Sequence, residues 1–153
     1  MTTLPRCLTY NDTGWFGIPI KPQTYNASFW VKTNASDPLQ GIVQLSLASL
    51  TNHLIYASLS FDASSIPLDG AWHRLSGTLT PKESAPDSNN VFSLTLDVLK
   101  DKDQYAWFSL ISLFPPTFNH RSNGLRPDLA NVLADLKPKH VRIPGGSNLQ
   151  GAV

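Results

Sequence analysis

From Ile42 to about Leu113 apolar and polar residues alternate, and a period of two belongs to a half-buried strand rather than a helix. Val43, Leu45 and Leu47 share one face against Gln44 and Ser46. Ala57, Leu59 and Phe61 do the same against Tyr56, Ser58 and Ser60, and Phe92, Leu94, Leu96 and Val98 against Ser93, Thr95 and Asp97. Tyr25 to Lys32, Trp72 to Leu79 and Ala106 to Leu113 complete a set of about six or seven strands. Turn-forming runs separate them: Asn34 to Pro38, Thr51 to His53, Asp62 to Gly70 and Pro81 to Asn90. Short strands at regular spacing with such breakers predict an antiparallel β-sandwich with one wet side per strand.

At about Phe114 the period changes. Pro115 and Pro116 stop the last strand, and Asn123-Gly124 makes a turn. Leu125, Leu129, Val132, Leu133 and Leu136 then recur at helical spacing, with Pro127 where a first turn tolerates it and Asp128 near the positive helix end. Lys137-Pro138-Lys139 ends this helix, and His140 to Ile143 reads as a short extended run leading to Pro144-Gly145-Gly146. Helix, short strand and glycine turn are half of a repeating α/β unit, whose parallel partners need further strands. The division expected is a sandwich over 1–108 and an α/β piece over 109–153.

Composition narrows the chemistry. Only 15% of residues are charged, and 12 basic side chains against 11 acidic ones leave a net charge of +1, too little to gather nucleic acid or an anionic membrane. Cys7 is alone, so an intrachain disulfide or thiolate metal cluster is excluded. His53, His73, His120 and His140 show no metal-ligand spacing, no G-x-S-x-G elbow occurs, and no cofactor or metal is expected. No membrane span or secretory leader is read from the chain. Asn11, Asn26 and Asn34 head three sequons that would accept glycans in a secretory pathway.

Flat aromatic faces offer stacking surfaces to a ring-shaped ligand, which brings forward Trp15, Trp30, Trp72, Trp107 and Tyr56. Trp72, after Asp69-Gly70 at a strand start, reads as core packing. Tyr56 shares the parity of Ser58 and Ser60 and is expected on the wet face, so Trp15 and Tyr56 are the stacking candidates kept. Lys100 to Asp103 reads as a solvated hairpin loop.

The run Ser109-Leu-Ile-Ser-Leu-Phe-Pro-Pro-Thr-Phe-Asn-His-Arg-Ser-Asn-Gly-Leu-Arg-Pro-Asp-Leu-Ala130, followed by Leu136-Lys-Pro-Lys-His-Val-Arg-Ile-Pro-Gly-Gly146, closely resembles the fungal α-L-arabinofuranosidases of glycoside hydrolase family fifty-one. Upstream, Gly14-Trp-Phe-Gly-Ile18, Thr24-Tyr-Asn-Ala-Ser-Phe29, Trp72-His-Arg74 and Asn89 to Asp97 resemble the carbohydrate-binding-module-like sandwich of those enzymes. The resemblance covers about Asp12 to Gly151, whereas Met1 to Tyr10 matches poorly and leaves the sandwich a strand short.

The resemblance implies a mainly β fold, a jelly-roll-like antiparallel sandwich followed by a helix–strand fragment of a (β/α)8 barrel. It implies a secreted retaining glycosidase that removes terminal arabinofuranosyl groups from arabinan and arabinoxylan, with an arabinose-containing plant glycan as partner. Such a barrel needs about 250 residues and carries catalytic groups on several strand ends. Retaining chemistry uses two carboxyl groups about 5–5.5 Å apart; both are glutamates in this family, and the only glutamate here is Glu83, a loop charge. No catalytic residue is therefore assigned. By resemblance, Arg142, Gly145, Gly146, Ser147 and Asn148 form a sugar-binding stretch, with Ser147 in place of an asparagine that contacts arabinose and Gln150 in place of a glutamate. The expectation is an arabinofuranosidase fragment without activity of its own; a stand-alone carbohydrate-binding sandwich and a non-functional gene fragment are the alternatives.

Overall fold

The computed structural model describes residues 6–13, 17–34, 38–98, 105–121, 124–137 and 139–140. Their strands are β1 (Arg6–Asp12), β2 (Tyr25–Thr33), β3 (Gly41–Ser49), β4 (Ile55–Asp62), β5 (His73–Leu79), β6 (Asn90–Val98) and β7 (Ala106–Phe114), and a helix α1 follows at Pro127–Asp135. All the pairings are antiparallel, in one sheet of order β1-β6-β3-β4 and a second of order β5-β2-β7. The chain divides into two compact units, Met1–Pro116 and Thr117–Val153.

The alternation seen in sequence becomes the inner face. Val43, Leu45 and Leu47 of β3 are fully buried, Phe92, Leu94 and Leu96 of β6 nearly so, and Ala57, Leu59 and Phe61 of β4 pack against them. From the second sheet come Tyr25, Ala27, Phe29 and Val31 of β2 and Leu79 of β5. Phe29 sits at the centre, its ring edge-on to Phe61 at 5.5 Å and tilted against Phe108 at 5.9 Å. Gly77 of β5 keeps the sheets close, because a Cβ there would come within 2.5 Å of Leu59 Cδ2.

β1 supplies the strand the sequence reading lacked. It pairs along its whole length with β6, from Arg6 opposite Val98 to Asp12 opposite Phe92. Strand β7 likewise runs through the expected 108/109 division, since Ser109, Ser112, Leu113 and Phe114 pair with β2. Two prolines, Pro115 and Pro116, then end it, so the chain's own division falls after Pro116.

Bulges re-aim two strands. In β7, Ser28 faces Ser112 while Trp30 faces Ser109, so one extra residue stands opposite Phe29. Leu110 takes the left-handed φ of 47° there and is exposed. The inward parity thereby switches from Ala106 and Phe108 to Ile111 and Leu113, all packed on the core. In β4, Leu47 faces Ala57 and Ala48 faces Ile55, leaving Tyr56 unpaired.

Loops are fixed by polar contacts. The Tyr25 hydroxyl accepts from the Lys21 amide at 2.9 Å and donates to the Pro19 carbonyl at 3.3 Å. Buried Asn90 donates through Nδ2 to the Ile18 and Asp87 carbonyls, both at 2.8 Å, and the Ile18 amide donates to Ser88 O. Gly17, at φ 79°, lies so near Ser88 that any Cβ would strike its carbonyl oxygen. Thr33 Oγ1 donates to Tyr105 O and the Tyr105 amide donates to Asn34 Oδ1, tying the end of β2 to the start of β7.

In the second unit the expected helix forms. Pro127 opens α1, and Arg126 grips Asp128 in two bonds, Nε–Oδ1 at 3.1 Å and Nη2–Oδ2 at 2.6 Å. The apolar stripe Leu129, Val132, Leu133 and Leu136 is exposed. The extended run anticipated from His140 to Ile143 lies outside the described residues beyond His140. So do all of the Lys100 to Asp103 loop and all of Arg142, Gly145, Gly146, Ser147 and Asn148.

Candidate functional site

Of the stacking candidates kept from sequence, Trp15 lies outside the described residues. Tyr56 was expected on the wet face of β4, but it is half-buried and packed against the core cluster. The bulge explains the correction: the extra residue puts Tyr56 out of phase with Ser58 and Ser60, which remain exposed.

The exposed aromatic residues gather instead on the outer side of the β5-β2-β7 sheet. Alternation turns Asn26, Ser28, Trp30 and Lys32 of β2 outward, opposite the buried Ala27, Phe29 and Val31. Register sets Arg74, Trp30 and Ser109 side by side, then Ser76, Ser28 and Ser112, with Thr78, Asn26 and Phe114 beyond. At the other end Lys32 faces Trp107. Trp72, immediately before β5 and its Val31–His73 pair, is 44% exposed, so its expected place in the core is not what the structure shows. Trp107 is 45% exposed and stacks at a tilt on Tyr105, 6.2 Å between centroids.

Polar contacts organise this face. Lys32 Nζ stands 5.9 Å from the Trp107 ring centroid, a cation–π contact that holds the ammonium over the indole. Ser28 and Ser112 hydroxyls bond at 2.9 Å, and Arg74 Nη2 donates to Ser28 Oγ at 3.3 Å. Among the outward positions of the three strands the ionisable side chains are Lys32 and Arg74, both cationic. Sequence reading named Trp30, Trp72 and Trp107 without grouping them. The available signal was the parity of Trp30 with Asn26, Ser28 and Lys32, a tryptophan on the polar phase of its strand.

Among the described residues, the carboxylates whose titration is perturbed are all shifted downward. Glu83 is exposed in its loop. Asp62 is held below the usual carboxylate range by the Ser64 amide, with the Ser64 side chain adding to it. His73, 2.7 Å from Asp69 Oδ1, does the same for Asp69, helped by the Ala71 amide. Arg126 and the Leu129 amide lower Asp128. A glycosidase acid needs the opposite shift. Among the described residues no group of three or more His, Cys, Asp or Glu side chains is placed to hold a metal, and no described helix is long and apolar enough to cross a membrane.

The second unit contains a cleft of about 560 Å³ lined by Phe118, Asn119, Arg121, Gly124, Leu125, Ala130 and Leu133. Its turn is closed by the Phe118 amide donating to Leu125 O, the Gly124 amide to Arg121 O and the Thr117 hydroxyl to Arg121 O. Its lining mixes apolar side chains with one cation, Arg121, and no carboxylate.

No family model matches the chain. Among curated proteins, a probable α-L-arabinofuranosidase A of Emericella nidulans is 38% identical over 141 residues, 92% of this chain and 24% of that protein. The α-L-arabinofuranosidase A of Aspergillus kawachii is 33% identical over 152 residues, 92% of this chain and 21% of that protein. The chain is homologous to one segment of the fungal α-L-arabinofuranosidases. The solved arabinose-bound MgGH51 α-L-arabinofuranosidase superposes with a TM-score of 0.77 at 32% identity, covering 95% of this chain and 23% of that one. The segment thus spans about a quarter or less of these arabinofuranosidases, and its mainly β fold of two antiparallel sheets is theirs.

Proposed function

We propose that these 153 residues provide the carbohydrate-module-like sandwich and the opening piece of the catalytic barrel of an α-L-arabinofuranosidase-type protein, and that as a separate polypeptide they do not hydrolyse glycosides. The observation that carries this reading is the homology over 92% of the chain, combined with a single, exposed glutamate. Retaining hydrolysis requires two facing carboxyl groups, one of them an acid with a raised pKa, and the described Asp62, Asp69 and Asp128 are instead shifted downward by their hydrogen-bond partners.

The glycan class follows from the relatives: a polysaccharide bearing arabinofuranosyl groups, such as arabinan or arabinoxylan. By resemblance Arg142, Gly145, Gly146, Ser147 and Asn148 contribute one wall of its pocket. Ser147 offers one hydroxyl where an amide would offer two donors and an acceptor, so this wall holds the sugar less firmly than its counterpart. The alternative of a stand-alone carbohydrate-binding sandwich is favoured by a specific feature, the exposed Trp107 of β7 and the exposed Trp72 just before β5, with half-buried Trp30 of β2 on the same sheet face. Release of nitrophenol from an aryl α-L-arabinofuranoside by the purified chain tests the main reading. No release above the buffer rate is expected, and turnover lost on substitution of one aspartate or Glu83 would overturn it.

A further inference from the structure

We propose that the outer face of the β5-β2-β7 sheet binds an acidic polysaccharide, one whose sugar rings carry carboxylates, with Trp107 and Trp72 as stacking surfaces and Lys32 and Arg74 as the carboxylate contacts. The inference deepens the carbohydrate-binding reading and rests on it.

The face has the three components a glycan site needs. Apolar sugar surface requires flat aromatic side chains in water, and Trp72, Trp107 and Tyr105 are 44%, 45% and 59% exposed. Sugar hydroxyls require small polar groups beside the rings, and Ser76 of β5 and Ser109 of β7 supply them, while the buried Ser28 between them is bonded to Ser112 and Arg74. Trp107 lies on β7 and Trp72 just before β5, the strands on either side of β2, and two strands so placed stand roughly 10 Å apart, the reach of a short oligosaccharide.

Charge selects among glycans. Lys32 and Arg74 form no ion pair with a described residue, while the nearby Asp69 is already engaged by His73. Arg74 lies opposite Trp30, and Lys32 follows Trp30 by two residues, so the two cations are diagonal neighbours with backbones roughly 7–8 Å apart. Arg74 also donates to Ser28, which aims its guanidinium along the sheet surface instead of away from it. A neutral glycan leaves both charges unanswered. One with carboxylates on successive rings meets each with a charge-assisted bond, the guanidinium in a bidentate fork.

The test is a titration of the 153-residue chain, followed by tryptophan fluorescence, with oligogalacturonate, with the same oligomer after reduction of its carboxylates to alcohols, and with arabinoxylan oligomers. Lys32→Gln, Arg74→Gln and Trp107→Ala replace partly or well exposed side chains, and circular dichroism confirms that each variant is folded. Expected are tighter binding of the acidic oligomer than of its reduced form, weakening with added salt, and a loss of about tenfold for each charge variant. Binding that is undiminished in Trp107→Ala and both charge variants places the site elsewhere and overturns the proposal. Equal binding of the acidic and reduced oligomers, lost in Trp107→Ala, overturns the acidic assignment while the carbohydrate-binding reading stands. Failure of all three glycans to bind overturns that reading as well.

Discussion

Phe29 is the side chain through which the two sheets meet, and replacing it measures how much of the sandwich depends on that meeting. It is fully buried on the central strand β2, contacts Phe61 of the opposite sheet edge-on at 5.5 Å, and leans on Phe108 of β7 at 5.9 Å. Phe29→Ala removes the ring and leaves a cavity bounded by strands that cannot collapse without breaking their ladders, so the loss is about 3–5 kcal/mol. Against a net stability of about 5–15 kcal/mol for a domain, that is a large share. Urea unfolding of the variant, with a slope of about 1–3 kcal/mol per molar, should show its midpoint lowered by about 2 M. Tryptophan emission is a clean probe, because all four tryptophans precede Pro116 and report on the first unit. Phe29→Leu keeps most of the volume and should lose about 1.5 kcal/mol. A loss below about 1 kcal/mol in Phe29→Ala would show that Phe29 does not join the sheets as described.

Three further outcomes are expected. Gly17→Ala should lose at least about 1 kcal/mol in the same urea experiment, since it combines a positive φ with a collision at Ser88; unchanged stability would contradict the contact. Tyr25→Phe should lose about 1 kcal/mol, because the Lys21 amide and Pro19 carbonyl give up their hydroxyl partner. Asp62 and Asp69 titrate below their ordinary value of 3.8 when folded, so between that value and the lower folded values the unfolded chain binds more protons. Their contribution is therefore present above about pH 4 and disappears as the pH falls through the folded values. Acid unfolding should be less steep in Asp69→Asn, and an identical acid limb would contradict the Asp69–His73 contact.

Much of the sandwich was legible because its inner strands obey a simple rule. In β3 and β6 every second residue is apolar and buried, and α1 appears where leucines recur at helical spacing. The misses have identifiable physical origins. In β1, Cys7 stands beside Leu8, so no alternation announces a strand, and its pairing with β6 joins segments far apart in the chain. Tyr56 changed side because a single unpaired residue shifts the phase of a strand, and residue types do not reveal where the partner strand will skip. The strand β7 carries the same device at Leu110, yet the sequence pattern marks it whole as Ala106 to Leu113, and the 108/109 division coincides with the start of the family motif at Ser109, not with a strand end. Trp72 is large and apolar, and size alone argues for burial; it stands just before the paired part of β5 and is 44% exposed. The outer face of β2 was written in the parity of Asn26, Ser28, Trp30 and Lys32, yet its grouping with Arg74 and Trp107 required the sheet order. The family resemblance was legible from local motifs, the double proline, the Asn-Gly turn and the paired glycines, which survive without any knowledge of topology.

The central claim is that this polypeptide holds sugar-recognition surfaces and no glycosidic nucleophile. A retaining enzyme passes through a covalent glycosyl–carboxylate ester, which a mechanism-based arabinofuranosyl inactivator traps permanently. Intact-protein mass spectrometry after prolonged incubation with such a reagent is the direct measurement. The mass is predicted to stay that of the unmodified chain, and a single arabinofuranosyl adduct mapped to one aspartate or to Glu83 would contradict the account.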